Sequence, residues 1–164
     1  EAARQCVEAL KEAREREGAR LVAVLQDKLK GLKALAEQAV PLVPQAVQRQ
    51  QERFVQKYQD ALQAVGGAVT PEAAQERALS EAAAYALRID VDEEVQRLRA
   101  HLDEIGRLLK KGGEVGKRLD FLIQELHREA NTLGSKAAAL ELTQISVDMK
   151  VLIEQMREQV QNIE

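Results

Sequence analysis

From Val91 onward the apolar residues of this chain recur at every third or fourth position. Val91, Val95, Leu98, Leu102, Ile105 and Leu109 form one stripe of a 3.6-residue helix, and Leu119, Leu122, Ile123, Leu126, Ala130, Leu133 and Ala137 form another. No stretch alternates with period two over the length of a strand, so nothing in the chain seeds a sheet. Ala, Leu, Gln, Glu, Arg and Val dominate the composition, and all but Val are good helix formers. The period and the composition agree on an all-α fold. With 164 residues the chain has room for one substantial domain or two small ones.

Stop and start signals divide the helical pattern. Residues 1–40 read as one long helix, which Val40-Pro41-Leu42-Val43-Pro44 stops or kinks, because proline removes an amide donor and restricts the residue before it. A second helix runs to about Val65, where Gly66-Gly67 ends it, so residues 1–70 read as a long antiparallel helical hairpin, an arm for reach or oligomerisation. Thr70-Pro71-Glu72 is a helix start, with a hydroxyl cap, a proline at the first helical position and an acid in the first turn. Asp90 with Glu93 three residues on makes a box-like start for the next helix, which Lys110-Lys111-Gly112-Gly113 closes. One very long C-terminal helix is expected from Val115 to Asn162, with Gly134 interrupting but not breaking it. Residues 71–164 are thus a compact helical region ending in that helix.

Charge and cysteine usage exclude several function classes. The net charge of −3 gives no global basic bias, so contact with nucleic acid needs a local basic patch or metal ions. The single cysteine, Cys6, excludes an internal disulfide and a thiolate zinc site within one chain. No apolar run approaches the ~20 residues that span a bilayer, and no signal peptide is visible. The chain opens at Glu1, without methionine and already inside a helical pattern, which reads as a fragment of a longer protein.

The polar residues of 117–136 are ordered rather than mixed. Asp120, Gln124, Arg128, Asn131 and Ser135 line one stripe, and Glu125, Glu129, Thr132 and Lys136 line up beside it, with Phe121 among them. On the preceding helix Asp90, Glu94, Arg97 and His101 share a single edge. His101 lies about 10 Å or more along the axis from the two acids, so one helix cannot wrap all three around one ion. A facing helix or a neighbouring subunit would have to bring Asp120, Glu125, His127 or Glu129. Oxygen-rich ligation with at most one imidazole favours Mg²⁺ or Mn²⁺ over zinc.

Each feature also has a plainer reading. Charges on helix edges are commonly caps or exposed ion pairs. Glu93 and Arg97 have the spacing of an ordinary helical ion pair, and His127 borders the apolar stripe as an interface residue would. Glu125 and Glu129 are a like-charge pair at a spacing that destabilises a helix, which a cation would offset. Arg107, Lys110, Lys111, Lys117 and Arg118 cluster around the glycine turn, either as phosphate contacts or as residues complementing a helix end. There is no phosphate-binding loop and no serine nucleophile elbow, and aromatics at 2 % leave no platform for stacking bases.

The run RIDVDEEVQRLRAHL, followed by VGKRLDFLIQELHREANTLGSK and by VLIEQMREQVQNIE, resembles the C-terminal region of the bacterial YicC/YloC family. The resemblance covers roughly Leu79 to the end, and residues 1–70 then read as the tail of that family's N-terminal domain, the rest of which is absent. It implies a cytoplasmic endoribonuclease that depends on a divalent metal, Mn²⁺ or Mg²⁺, and assembles as a homo-oligomer, with a hexamer as the expectation. The acidic motif matches at Asp90, Glu93, Glu94 and His101. The second motif matches at Asp120, Gln124, Glu125, Arg128, Glu129, Asn131, Thr132, Ser135 and Lys136. Within these, Asp90, Glu94, His101, Glu125 and Glu129 are the candidate metal ligands, and His101, Glu125 and Glu129 the candidate catalytic residues. Lys117, Arg118, Arg128 and Lys136 are the candidate contacts to RNA phosphates, and Gln124 and Asn131 the candidates for orienting water or ligands. His101 is alternatively a proton carrier, since imidazole titrates near neutral pH, and would then leave 2′,3′-cyclic phosphate products. The competing expectation is a helical oligomerisation or adaptor module with no activity of its own, in which the polar stripes hold subunits together.

Overall fold

A computed structural model describes residues 1–65, 70–88, 91–137 and 139–161 of the chain. All secondary structure among them is helical, in the order α1 (Ala2–Val65), α2 (Pro71–Arg88), α3 (Asp92–Lys111), α4 (Gly116–Lys136) and α5 (Leu140–Gln161). The chain is all-α and ends in a long helix.

The apolar stripes read from the sequence meet in one core. Leu25, Leu29, Leu32, Ala36 and Ala39 of α1 close it against Val95, Leu98, Leu102 and Ile105 of α3, Leu119, Leu122, Ile123, Leu126 and Leu133 of α4, and Leu142, Met149, Ile153 and Met156 of α5. α1 packs on α3, α3 on α4, α4 on α5, and α5 back on α1, which closes a four-helix bundle. Cross-helix pairs fix the directions. Lys33–Asp103 and Arg99–Glu37 run α1 antiparallel to α3, and Arg49–Glu141 with the Gly31–Leu152 contact runs α1 antiparallel to α5. Neighbouring helices around the ring alternate in direction, as short connections between α3, α4 and α5 require.

The hairpin expected within residues 1–70 is not there. α1 runs unbroken through Pro41 and Pro44, and it is α2 that returns along it after Val65. Interior proline costs about 3 kcal/mol through a lost hydrogen bond and a ring clash. Here Ala36, Ala39 and Ala46 continue the core stripe through the proline segment, so a break would expose apolar surface. Pro41, Pro44 and the residues one turn earlier, Glu37 and Val40, are all exposed, so water can take the carbonyls that lost their donors. The cap read at Thr70 is present, its Oγ1 accepting from the Ala73 amide at 3.4 Å. At its other end α1 leaves the bundle, and every residue from Glu1 to Glu17 is exposed.

The single C-terminal helix expected from Val115 to Asn162 is two helices. α4 ends at Lys136, Ala137 is extended (φ −66°, ψ 113°), and α5 begins at Leu140. Folding back buries the stripes of both halves against each other, whereas one straight helix would leave half of them without a partner. Gly134 is explained by that return. A Cβ there would lie 2.4 Å from Ser146 Oγ, and Ser146 donates a buried 2.7 Å hydrogen bond to the Ala130 carbonyl. The turn between α3 and α4 follows the sequence reading, with Gly112 and Gly113 both at positive φ (68° and 87°).

Candidate functional site

The seam between α3 and α4 brings the sequence candidates together. Antiparallel packing sets the polar edge of α3, Glu94, Arg97 and His101, against the Glu125, Glu129 and Lys136 stripe of α4. One ligand-type atom from each of His101, Glu125 and Glu129 lies within 4.8 Å of the others. His101 and Glu125 are half-buried and Glu129 is only 5 % exposed. Neither His101 nor Glu125 has a hydrogen-bond or ion-pair partner among the described residues.

One turn along the seam, the acids are paired with cations. The Arg97 guanidinium donates from Nε to Glu129 at 2.9 Å, from Nη2 to Glu94 at 3.0 Å and from Nη1 to Glu93. Lys136 Nζ donates to the same Glu94 oxygen at 2.9 Å. Glu94 is 2 % exposed, and its other oxygen, Oε2, is buried with no hydrogen-bond partner among the described residues. The Arg97 pKa is raised, first by the hydrogen bond to Glu129 and then by the charges of Glu129, Glu93 and Glu94, so the guanidinium stays charged throughout.

The remaining sequence candidates fall in different places. Glu94 is tied to Arg97 and Lys136 rather than grouped with His101. Asp90 lies outside the described residues. Lys136 is committed to Glu94, whereas Arg128 is exposed and its guanidinium makes no ion pair among the described residues. Lys117 and Arg118 are exposed near the start of α4, roughly 10 Å along the axis from Glu125, and Arg118 lies over the exposed Phe121 ring at 5.3 Å. Gln124 donates to Asp120 at 2.7 Å and, with His127, lines a groove against Ile153, Glu154 and Arg157 of α5. Asn131 bonds His127 at 3.1 Å on that same side. Both orienting candidates therefore face α5, not the α3–α4 seam.

The sequence places Arg97 on the same α3 edge as Glu94 and His101, but its spacing from Glu93 is that of a routine helical pair, and that pair is present. Its contact to Glu129 across the seam was missed, because that depends on the register of α3 against α4.

Residues 39–164 match the model of the family described as endoribonuclease YicC-like, C-terminal. The chain belongs to the YicC-like family. It is 42 % identical over 151 residues to the probable endoribonuclease YicC of Haemophilus influenzae, covering 92 % of this chain and 50 % of that protein. It is 40 % identical over 88 residues to the probable endoribonuclease YicC of Clostridioides difficile, covering 54 % of this chain and 30 % of that protein. The chain thus spans about half the length of the first of these relatives and less of the second. The YicC-like match contains all of α3, α4 and α5, and with them the whole seam. Among the described residues no helix is long and apolar enough to cross a membrane.

Proposed function

We propose that this chain contributes the cleavage site of a metal-dependent endoribonuclease that hydrolyses RNA phosphodiesters, with His101, Glu125 and Glu129 holding one Mn²⁺ or Mg²⁺ ion. The observation that carries the reading is the grouping of these donor atoms within 4.8 Å, from two helices, with two of the three side chains otherwise unpartnered among the described residues. One imidazole and two carboxylates suit a hard divalent cation. When bound, such an ion supplies Lewis acidity toward a phosphodiester and lowers the pKa of water.

The chain's own residues would do the rest. Glu125 and Glu129 would supply the negative charge that holds the cation, with His101 as the third donor. Arg128, exposed one turn along α4 from Glu125 and without an ion pair among the described residues, offers a planar fork to a phosphate, and Lys117 and Arg118 meet the backbone farther along. Lys136 acts through Glu94 instead of on RNA. The relatives' names supply the endoribonuclease reading. A cytoplasmic homo-oligomer, expected as a hexamer, completes the proposal.

The test is cleavage of a labelled structured RNA with Mn²⁺ and with EDTA, by wild type and by Glu129→Gln at matched oligomeric mass. Metal-dependent cutting lost in Glu129→Gln supports the site. Full cutting by Glu129→Gln overturns it. Cutting that ignores EDTA and leaves 2′,3′-cyclic phosphate ends moves the chemistry to His101 as a proton carrier. The adaptor reading draws on a separate observation, that Arg97, Glu94 and Lys136 already make a paired ionic seam without any ion. Absence of cutting with an EDTA-indifferent oligomer would favour it.

A further inference from the structure

We infer that Arg97 is the positioning residue of this site, the group that holds the Glu129 carboxylate in the orientation a divalent cation needs. The inference rests on the metal reading just proposed and adds to it how the site is kept in shape.

Glu129 is a long side chain in a nearly closed seam. Its contact to Arg97 Nε at 2.9 Å is its one side-chain hydrogen bond among the described residues. Arg97 is in turn immobilised. Its three nitrogens each reach a different carboxylate, Glu129 across the seam and Glu94 and Glu93 on its own helix. A guanidinium presents donors in a rigid plane, so fixing two of its edges fixes the direction of the third. Glu94 is the anchor of that plane. It is buried, and Lys136 from α4 grips the same oxygen that Arg97 Nη2 uses. The chain of restraint runs from Lys136 to Glu94, to Arg97, to Glu129, and so to the group that includes His101 and Glu125. Residues that orient metal ligands in this way commonly set affinity almost as strongly as the ligands do.

Two substitutions separate positioning from charge. Arg97→Lys keeps the positive charge but replaces the planar fork by a point donor. Arg97→Gln removes the charge. A guanidinium that mattered only as a nearby cation would repel Mn²⁺, so its removal in Arg97→Gln would tighten binding. A positioning guanidinium gives the opposite result.

The experiment is Mn²⁺ binding to the intact protein without RNA, read from the electron paramagnetic resonance signal of free Mn²⁺, with thermal melting of each variant. The expected result is weaker Mn²⁺ binding, by about 10–100-fold, in both Arg97→Lys and Arg97→Gln, and a smaller loss in Glu94→Gln. Unchanged affinity in Arg97→Lys, or tighter binding in Arg97→Gln, overturns the inference and leaves the metal site standing. Wild type that binds no Mn²⁺ removes the metal reading and this inference together. Variants at Arg97 that do not fold assign the guanidinium to stability and also overturn it.

Discussion

Glu94 is the residue under most constraint. It is buried, it binds two cations through one oxygen, and its second oxygen has no partner among the described residues. Glu94→Ala is expected to cost about 2 kcal/mol in urea denaturation, because the lost hydrogen bonds are charged but Arg97 and Lys136 both reach water. Gly134 is constrained by space instead. Alanine favours a helix by about 1 kcal/mol over glycine, yet a Cβ at 2.4 Å from Ser146 Oγ must push α5 away. Gly134→Ala should therefore destabilise by about 1–3 kcal/mol, and Ser146→Ala in the same chain should recover part of that loss in a double-mutant cycle. The acids and the imidazole of the candidate site were legible in sequence as residues of two helix edges. The role of Arg97 was not, because it depends on the register of α3 against α4, and spacing along one helix carries no register.

Among the elements, α1 shows where local signals lose to packing. Proline is a strong local breaker, but the core stripe from Leu25 to Ala46 runs straight past it. Replacing Pro41 and Pro44 by alanine should raise stability by about 1 kcal/mol or more, read as a higher urea midpoint, since both sites are exposed and helical already. The end of α4 shows the converse. Ser135-Lys136-Ala137-Ala138-Ala139 contains no glycine or proline, so the break has no local signature and comes from the burial gained when α5 folds back. The glycine pair before α4 was legible because the positive φ of Gly112 and Gly113 is a local demand. The bundle's outer pairs also predict a pH response. The Lys33 hydrogen bond lowers the Asp103 pKa; a backbone hydrogen bond, then Arg49, lowers that of Glu141. Their stabilisation is complete above the unfolded carboxylate pKa of about 4 and fades as pH falls through the lower folded values. Melting temperature should therefore drop on acidification below about pH 4, and by less in Asp103→Asn. Both groups are exposed, so the difference is small.

For the whole molecule, the all-α class and the bundle's stripes were readable because helical period is a property of the chain itself. The ring order of the helices was not, since it is decided by which stripes face each other. The net charge sets a further expectation. At −3, and with Arg128, Lys117 and Arg118 as the exposed cations of the α4 face, few phosphates can be neutralised at once. RNA affinity of this chain should fall only gently with salt, with a log–log slope of magnitude below about 3, measured by titration between low and physiological salt. A steeper slope would mean that assembly or additional chain supplies the cations.

The unbroken course of α1 has a mechanical consequence. One rod, roughly 95 Å long, forms a wall of the bundle and also carries α2 and the exposed first turns. The same continuous backbone therefore links the exposed first turns, the wall that meets α3 and the segment that α2 packs on, with Pro41 and Pro44 the points where its hydrogen-bond ladder is thinnest.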